Sequence, residues 1–249
     1  MQEYWEAYMK PMEGHPSMVS FNAGVSDGVP DDEYMYVGFV KVPLKSPNAQ
    51  GLIAPEEEDE VGFIEDRLEL ESLRYRVGKY IGRIVTQGSV TFIYCLKLDF
   101  EWGDVANAAM KHFDTYTFES GSRVDREWEV YQKLLFPTPK EWQIIQNHRS
   151  CDQLKESGDN LRLPRAIEHR SYFENPEFRT AFARQMEAEG FKLQKEMEPT
   201  EEVPLYGLQF YRIDTPYYYD IDALTLAIID QSERFGGQYD GWETSLVKI

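Results

Sequence analysis

Between Ile167 and Val247 the apolar residues recur by turns at two-residue and at three-to-four-residue spacing, and the order of those stretches leaves few folds open. Ile167 to Glu174 alternates as a half-buried strand does, with Ile167, His169, Ser171 and Phe173 on one face. Asn175-Pro176 then opens a helix carrying Phe178, Phe182 and Met186 at four-residue spacing, closed by Gly190. Phe191, Leu193 and Met197 read as a second half-buried strand, and a turn over Pro199 to Pro204 leads to a third from Leu205 to Ile213. Asp214 or Thr215 with Pro216 caps a long helix striped by Ile221, Leu224 and Ile228 and stopped by Gly236-Gly237. A last strand runs from Gln238 to Val247. This βαββαβ order predicts a ferredoxin-like unit whose first and last strands are antiparallel neighbours.

Just upstream, Phe136-Pro137-Thr138-Pro139 announces a helix, with Thr138 as N-cap, Pro139 as first helical residue, Glu141 as capping-box partner and Gly158 as the stop. A domain boundary is expected near residue 137, giving units 1–137 and 138–249. The first unit repeats the logic with one strand more. Met18 to Ala23 and Tyr34 to Val42 read as strands, and a helix from Pro55 turns Val61, Ile64 and Leu68 inward. Tyr80 to Gln87 and Val90 to Leu98 form a hairpin around Gly88-Ser89. Asp104 caps a short helix, and Thr115 to Glu119 supplies a final strand. The predicted class is α+β: two ferredoxin-like α/β sandwich domains with antiparallel sheets. A chain of 249 residues is long enough to bury a real core without disulfides or metal.

Charge narrows the function. Forty-four acidic residues against 26 basic ones leave a formal charge of −18, which works against phosphate backbones and anionic lipid alike. Sixteen Tyr, 14 Phe and 5 Trp argue against disorder despite that charge. MQEYWEAYMK at the N-terminus lacks the basic and apolar regions of a secretory leader. No apolar run approaches the roughly 20 residues that cross a bilayer. Cys95 and Cys151 read as free thiols, so a cytoplasmic protein is expected.

Reactive motifs are missing: the sequence holds no GxSxG, HExxH or GxxxxGK[ST] pattern. The run Glu56 to Glu60 follows Pro55 and belongs in the first turn of a helix, where the macrodipole favours carboxylates. His15, His112, His148 and His169 lie far apart, and His148 with Cys151 cannot close a tetrahedral metal site. Gly236-Gly237-Gln238-Tyr239-Asp240-Gly241 ends a helix and opens a strand, the reverse of a phosphate loop. His169 and Asp240 fall on neighbouring strands. A hydrogen bond between them would hold the imidazole protonated, whether as an acid–base group or as a satisfied core histidine. Tyr217, Tyr218 and Tyr219 with Trp242 either line a groove or pack helix against sheet.

ERFGGQYDGWETSLVK, residues 233–248, resembles the C-terminal signature of the regulator of ribonuclease E activity B family, centred on Tyr239-Asp240-Gly241-Trp242 after Phe235. Ile167-Glu168-His169 after Gly158-Asp159, and AEGFKL at 188–193, resemble the same family in the same order. VSFNAG at 19–24, Glu65-Asp66-Arg67-Leu68, Gly82-Arg83 and Trp128 with Tyr131 resemble a bacterial domain-of-unknown-function family often joined to that regulator, from which no activity follows. The regulator resemblance implies a cytoplasmic, non-catalytic protein that binds ribonuclease E at its arginine-rich scaffold region and damps its cleavage. Arg170 departs from that pattern, since some relatives are less basic there.

The expected function is therefore a protein-binding regulator and not an enzyme, without cofactor, metal or direct nucleic-acid contact. Its partner is a basic, Arg-rich protein segment, met by Glu168, His169, Tyr239, Asp240, Trp242 and Glu243. Trp242 is expected to anchor that segment by cation–π contact, ringed by carboxylates. The alternative is a small-ligand-binding protein or enzyme using an interdomain cleft with His169 and Asp240.

Overall fold

Pro139 opens a helix where the chain divides into two units, Met1–Thr138 and Pro139–Ile249, in a computed structural model that describes residues 4–248. In the first unit the elements run β1 (Trp5–Met12), β2 (His15–Asn22), β3 (Tyr36–Pro43), α1 (Glu58–Tyr75), β4 (Gly78–Thr86), β5 (Ser89–Leu96), α2 (Trp102–Met110) and β6 (Glu119–Val124). Their sheet has the order β1-β2-β4-β5-β3-β6, with every neighbouring pair antiparallel. Read from β3 onward, this is a βαββαβ unit with its last strand beside its first, extended past β4 by the β1–β2 hairpin.

That hairpin corrects the sequence reading, which has one added strand where the fold has two. β1 sits at the sheet edge, where Pro11 costs no ladder bond and only Tyr8 is buried, so the strand carries little hydrophobic signal. The other edge, β6, is the polar run ESGSRV and lies later than residues 115–119, for the same reason. α1 buries Val61, Ile64 and Leu68 against Val90, Phe92 and Tyr94 of β5. The acidic run begins in a 3-10 turn, Pro55–Glu57, and continues into the first turn of α1. Glu57 is buried there and accepts from Lys45 N at 2.7 Å, Ser46 N at 2.9 Å and Tyr116 Oη at 2.8 Å. Those three donors hold its carboxyl below the usual range against the opposing effect of burial.

The second unit comprises α3 (Pro139–Glu156), β7 (Arg165–Phe173), α4 (Pro176–Ala188), β8 (Lys192–Met197), β9 (Tyr206–Asp214), α5 (Tyr218–Arg234) and β10 (Gly237–Thr244). Its sheet order is β10-β7-β9-β8, again antiparallel throughout, which is the ferredoxin-like arrangement. Alternation in β7 is complete: Arg165, Ile167, His169, Ser171 and Phe173 are buried, and the residues between them are half-exposed. Phe182 and Met186 of α4, with Ile221, Leu224 and Ile228 of α5, close that buried face. β8 is mostly exposed rather than half-buried, because it is an edge strand.

Candidate functional site

Tyr239-Asp240-Gly241-Trp242 forms a bulge in β10. Tyr239 pairs with Ser171 and Gly241 with Arg170, so Asp240 is an extra residue with no opposite number. Gly241 has φ +110°, a backbone state that a residue with a Cβ rarely adopts. The extra residue resets the alternation. Tyr239 and Trp242 lie opposite Ser171 and His169, residues of the buried face, while Glu243 lies opposite Glu168 on the other. Neighbouring Gly237 passes so close to Phe173 that a Cβ there would sit 2.2 Å from the ring.

The six residues expected to form one partner surface are thus divided between two faces. His169 is wholly buried, stacked on Phe210 with ring centroids 5.6 Å apart, and its Nδ1 lies 2.8 Å from Tyr239 Oη. The expected His169–Asp240 bond does not form, because the carboxylate sits on the bulge and meets Arg170 instead. Nor is the imidazole held protonated. Burial, with the positive charge of Arg212 adding to it, pushes His169 down to about 3. A histidine shut in the core cannot touch a partner, and this one is neutral.

Trp242 is likewise no anchor among carboxylates. Its indole N–H donates to Asn147 Oδ1 at 2.8 Å, and its ring packs on the core. Asn147, fully buried on α3, is the hub of a network that the sequence reading missed. Its Oδ1 also accepts from Gln143 Nε2 at 2.8 Å, and its Nδ2 donates to Asp222 Oδ1 at 2.9 Å and Thr225 Oγ1 at 2.8 Å. Asp222 in turn meets His148 Nε2 at 2.8 Å and raises the pKa of that half-exposed imidazole. One amide therefore ties α3, α5 and β10 together. The available sequence signal is the indole itself, which needs an acceptor when buried.

Glu168, Asp240 and Glu243 remain as the open face of the β7–β10 pair. Glu168 accepts from Gln209 Nε2 at 2.8 Å. Arg170 stands between the other two, its guanidinium 3.8 Å from Asp240 Oδ2 and 3.7 Å from Glu243 Oε2, with all three side chains about half exposed. Ion pairs this long and this wet hold their carboxylates weakly. Tyr218 donates to Asp152 Oδ1 at 2.5 Å, and Tyr217 packs on the core under Arg162 at 4.1 Å.

Cys95 and Cys151 are buried free thiols, each pushed up to about 12 by burial, and so are not poised as nucleophiles. Among the described residues no three His, Cys, Asp or Glu side chains gather as a metal site needs, and no helix is long and apolar enough to cross a membrane.

No curated protein matches the chain. Among solved structures it is similar to an unknown protein from Galdieria sulphuraria, at 10% identity over 84% of this chain and 97% of that one, with a TM-score of 0.22. Residues 144–244 match the family Regulator of ribonuclease activity B, a span running from α3 to the end of β10 and including the bulge and its Asn147 hub. Residues 3–136 match the Family of unknown function (DUF695) over the whole six-stranded sheet. Since that second match spans more than half the sequence, the chain belongs to the DUF695 family and carries a regulator of ribonuclease activity B unit behind it.

Proposed function

We propose that the protein is a non-catalytic regulator that binds an arginine-rich segment of a ribonuclease through the open face of β7 and β10. The observation that carries this reading is the row of three carboxylates, Glu168, Asp240 and Glu243, on the open face of β7 and β10, where Asp240 and Glu243 meet Arg170 only at long distance and Glu168 meets the neutral amide of Gln209. A guanidinium from a partner offers shorter, bidentate pairs than Arg170 makes, and so competes for Asp240 and Glu243. The excess of acidic residues speeds encounter with a cationic segment, while only the groups close to it set affinity at physiological salt. The family match of residues 144–244 supports a ribonuclease as the partner's class. His169, Tyr239 and Trp242 serve by shaping this face from behind. With the His169–Asp240 pair unformed, the cleft-enzyme alternative loses its acid–base group.

The test is cleavage of a ribonuclease E substrate with and without the full chain, alongside binding of the ribonuclease's arginine-rich segment. The parent protein is expected to bind in a salt-sensitive way and slow cleavage. The Asp240→Asn, Glu243→Gln double variant should bind at least about tenfold more weakly, since paired exposed charges contribute roughly 0.2–1 kcal/mol each and bidentate pairs more. Arg170→Ala should bind more tightly. A folded parent that neither binds the segment nor slows cleavage at micromolar concentration removes the proposal.

A further inference from the structure

α1 buries Val61, Ile64 and Leu68 on its inner side, and its outer side carries an apolar stripe as well. Asp59, Phe63, Asp66, Leu70 and Leu73 follow one another at four- and three-residue steps, with Arg74 beside Leu73. All six are exposed, so they form one outward face. Phe63, Leu70 and Leu73 are each more than half exposed. Single apolar residues in water need no explanation, but three in line on one helix mark a contact surface.

The charges on that face select the occupant. The first turn of α1 is acidic, with Glu58, Asp59 and Glu60, and its last turn holds Arg74. Two copies laid antiparallel about a two-fold axis between Asp66 and Arg67 bring Phe63 opposite Leu70 of the second copy. The same register sets Asp66 opposite Arg67 and Asp59 opposite Arg74. Each pair occurs twice, as two-fold symmetry requires. Parallel pairing would instead set Asp59 against Asp59 and Arg74 against Arg74. Antiparallel helices also bring opposite ends of their dipoles together. Arg74 can turn to a new partner: its side chain is 71% exposed and reaches Glu71 only at 3.5 Å, while Glu71 keeps Arg67 at 2.8 Å. Arg67 stays with Glu71 and His112, so the Asp59–Arg74 pairs at the two ends carry most of the charge matching.

We propose that the outer face of α1 is a self-association surface, on which a second copy of this chain docks antiparallel through Phe63, Leu70 and Leu73 and is held in register by Asp59 and Arg74. A helix of 18 residues is about 27 Å long, so the seam falls at the small end of protein interfaces and gives a reversible dimer. The face lies in the first unit, and the proposal does not depend on the carboxylate face of β7 and β10.

Sedimentation velocity of the full chain from about 1 µM to 1 mM, the range in which small interfaces associate, tests it. Physiological salt screens the repulsion between two chains of net charge −18. The expected result is a monomer–dimer equilibrium within that range. Leu70→Glu should weaken it at least about tenfold, by setting a charge against Phe63 of the second copy. Asp59→Arg and Arg74→Glu, each alone, put like charges opposite each other twice per dimer and should each weaken it about fivefold. An equimolar mixture of these two variants should recover the parent's affinity, because each supplies the charge the other lacks. Circular dichroism checks that the variants fold, and Leu70→Ala provides the comparison if Leu70→Glu does not. A parent that stays monomeric throughout, a dimer untouched by substitution of Leu70, or a mixture no tighter than its two components would each overturn the proposal.

Discussion

The imidazole of His169 shows how one residue's surroundings decide its chemistry. Its pKa of about 3 in the fold compares with about 6.5 in an unfolded chain, so between those values the unfolded state holds the extra proton. Stability is therefore present above pH 6.5 and lost as pH falls towards 3, by about 1.4 kcal/mol per unit. His169→Phe keeps the ring stacked on Phe210 and removes the titration, along with the unpartnered Nε2. The variant strands the Tyr239 hydroxyl and so should lie about 1–3 kcal/mol below the parent in urea unfolding at pH 7. Between pH 7 and pH 4.5, however, the parent should lose roughly 2–3 kcal/mol more than the variant. Equal pH dependence in the two proteins would show that the histidine is not buried neutral. His148 works the other way. Asp222 raises its pKa, so its contribution is complete below pH 6.5 and disappears as pH rises through the folded value. His148→Gln should flatten that alkaline decline.

At the scale of elements, β10 depends on its bulge and on the helix behind it. Gly241→Ala forces a Cβ onto a backbone at φ +110° and should cost about 1–3 kcal/mol. Because the bulge sets which side chains face inward, chemical shifts of Tyr239 and Trp242 should move with it. Asn147→Leu leaves the Trp242 indole N–H without an acceptor inside the protein and should cost about 2–3 kcal/mol in thermal or urea unfolding. If Asn147→Leu unfolded at the same denaturant concentration as the parent, the α3–α5–β10 tie would be incidental. A second tie is the Arg165–Asp159 pair, bidentate at 2.6 and 2.7 Å and almost fully buried. Asp159 also accepts from Val247 N, so it holds the chain just beyond β10. The nearby guanidinium keeps its carboxyl below the ordinary range, and Asp159→Asn should be strongly destabilising, by about 3–5 kcal/mol, since it strands a buried arginine.

At the scale of the whole molecule, each unit has its own sheet and its own buried cluster: Val90, Phe92, Tyr94 and Leu68 in the first, Ile167, Phe182, Phe210 and Ile228 in the second. Residues 1–138 and 139–249 expressed separately should each give a cooperative unfolding transition; loss of structure in both pieces would refute this. The amino-acid sequence by itself determined the α+β class, the βαββαβ order of the second unit and the pairing of β7 with β10, because period, caps and connection order are local properties. It also carried the face assignment of β7, since alternation through Ile167, His169, Ser171 and Phe173 already puts Glu168 on the other side. What it left open was β10, where one unpaired residue at Asp240 shifts the alternation and sends Tyr239 and Trp242 inward. Edge strand β1 escaped notice, and β6 was expected a few residues too early, because a strand paired on one side needs few apolar residues. Only the tertiary structure decided which polar groups meet: Asn147 reaches Trp242 across 95 positions, and His169 reaches Tyr239 across 70. Such pairs are set by how helices lie on a sheet, and no spacing along the chain encodes that.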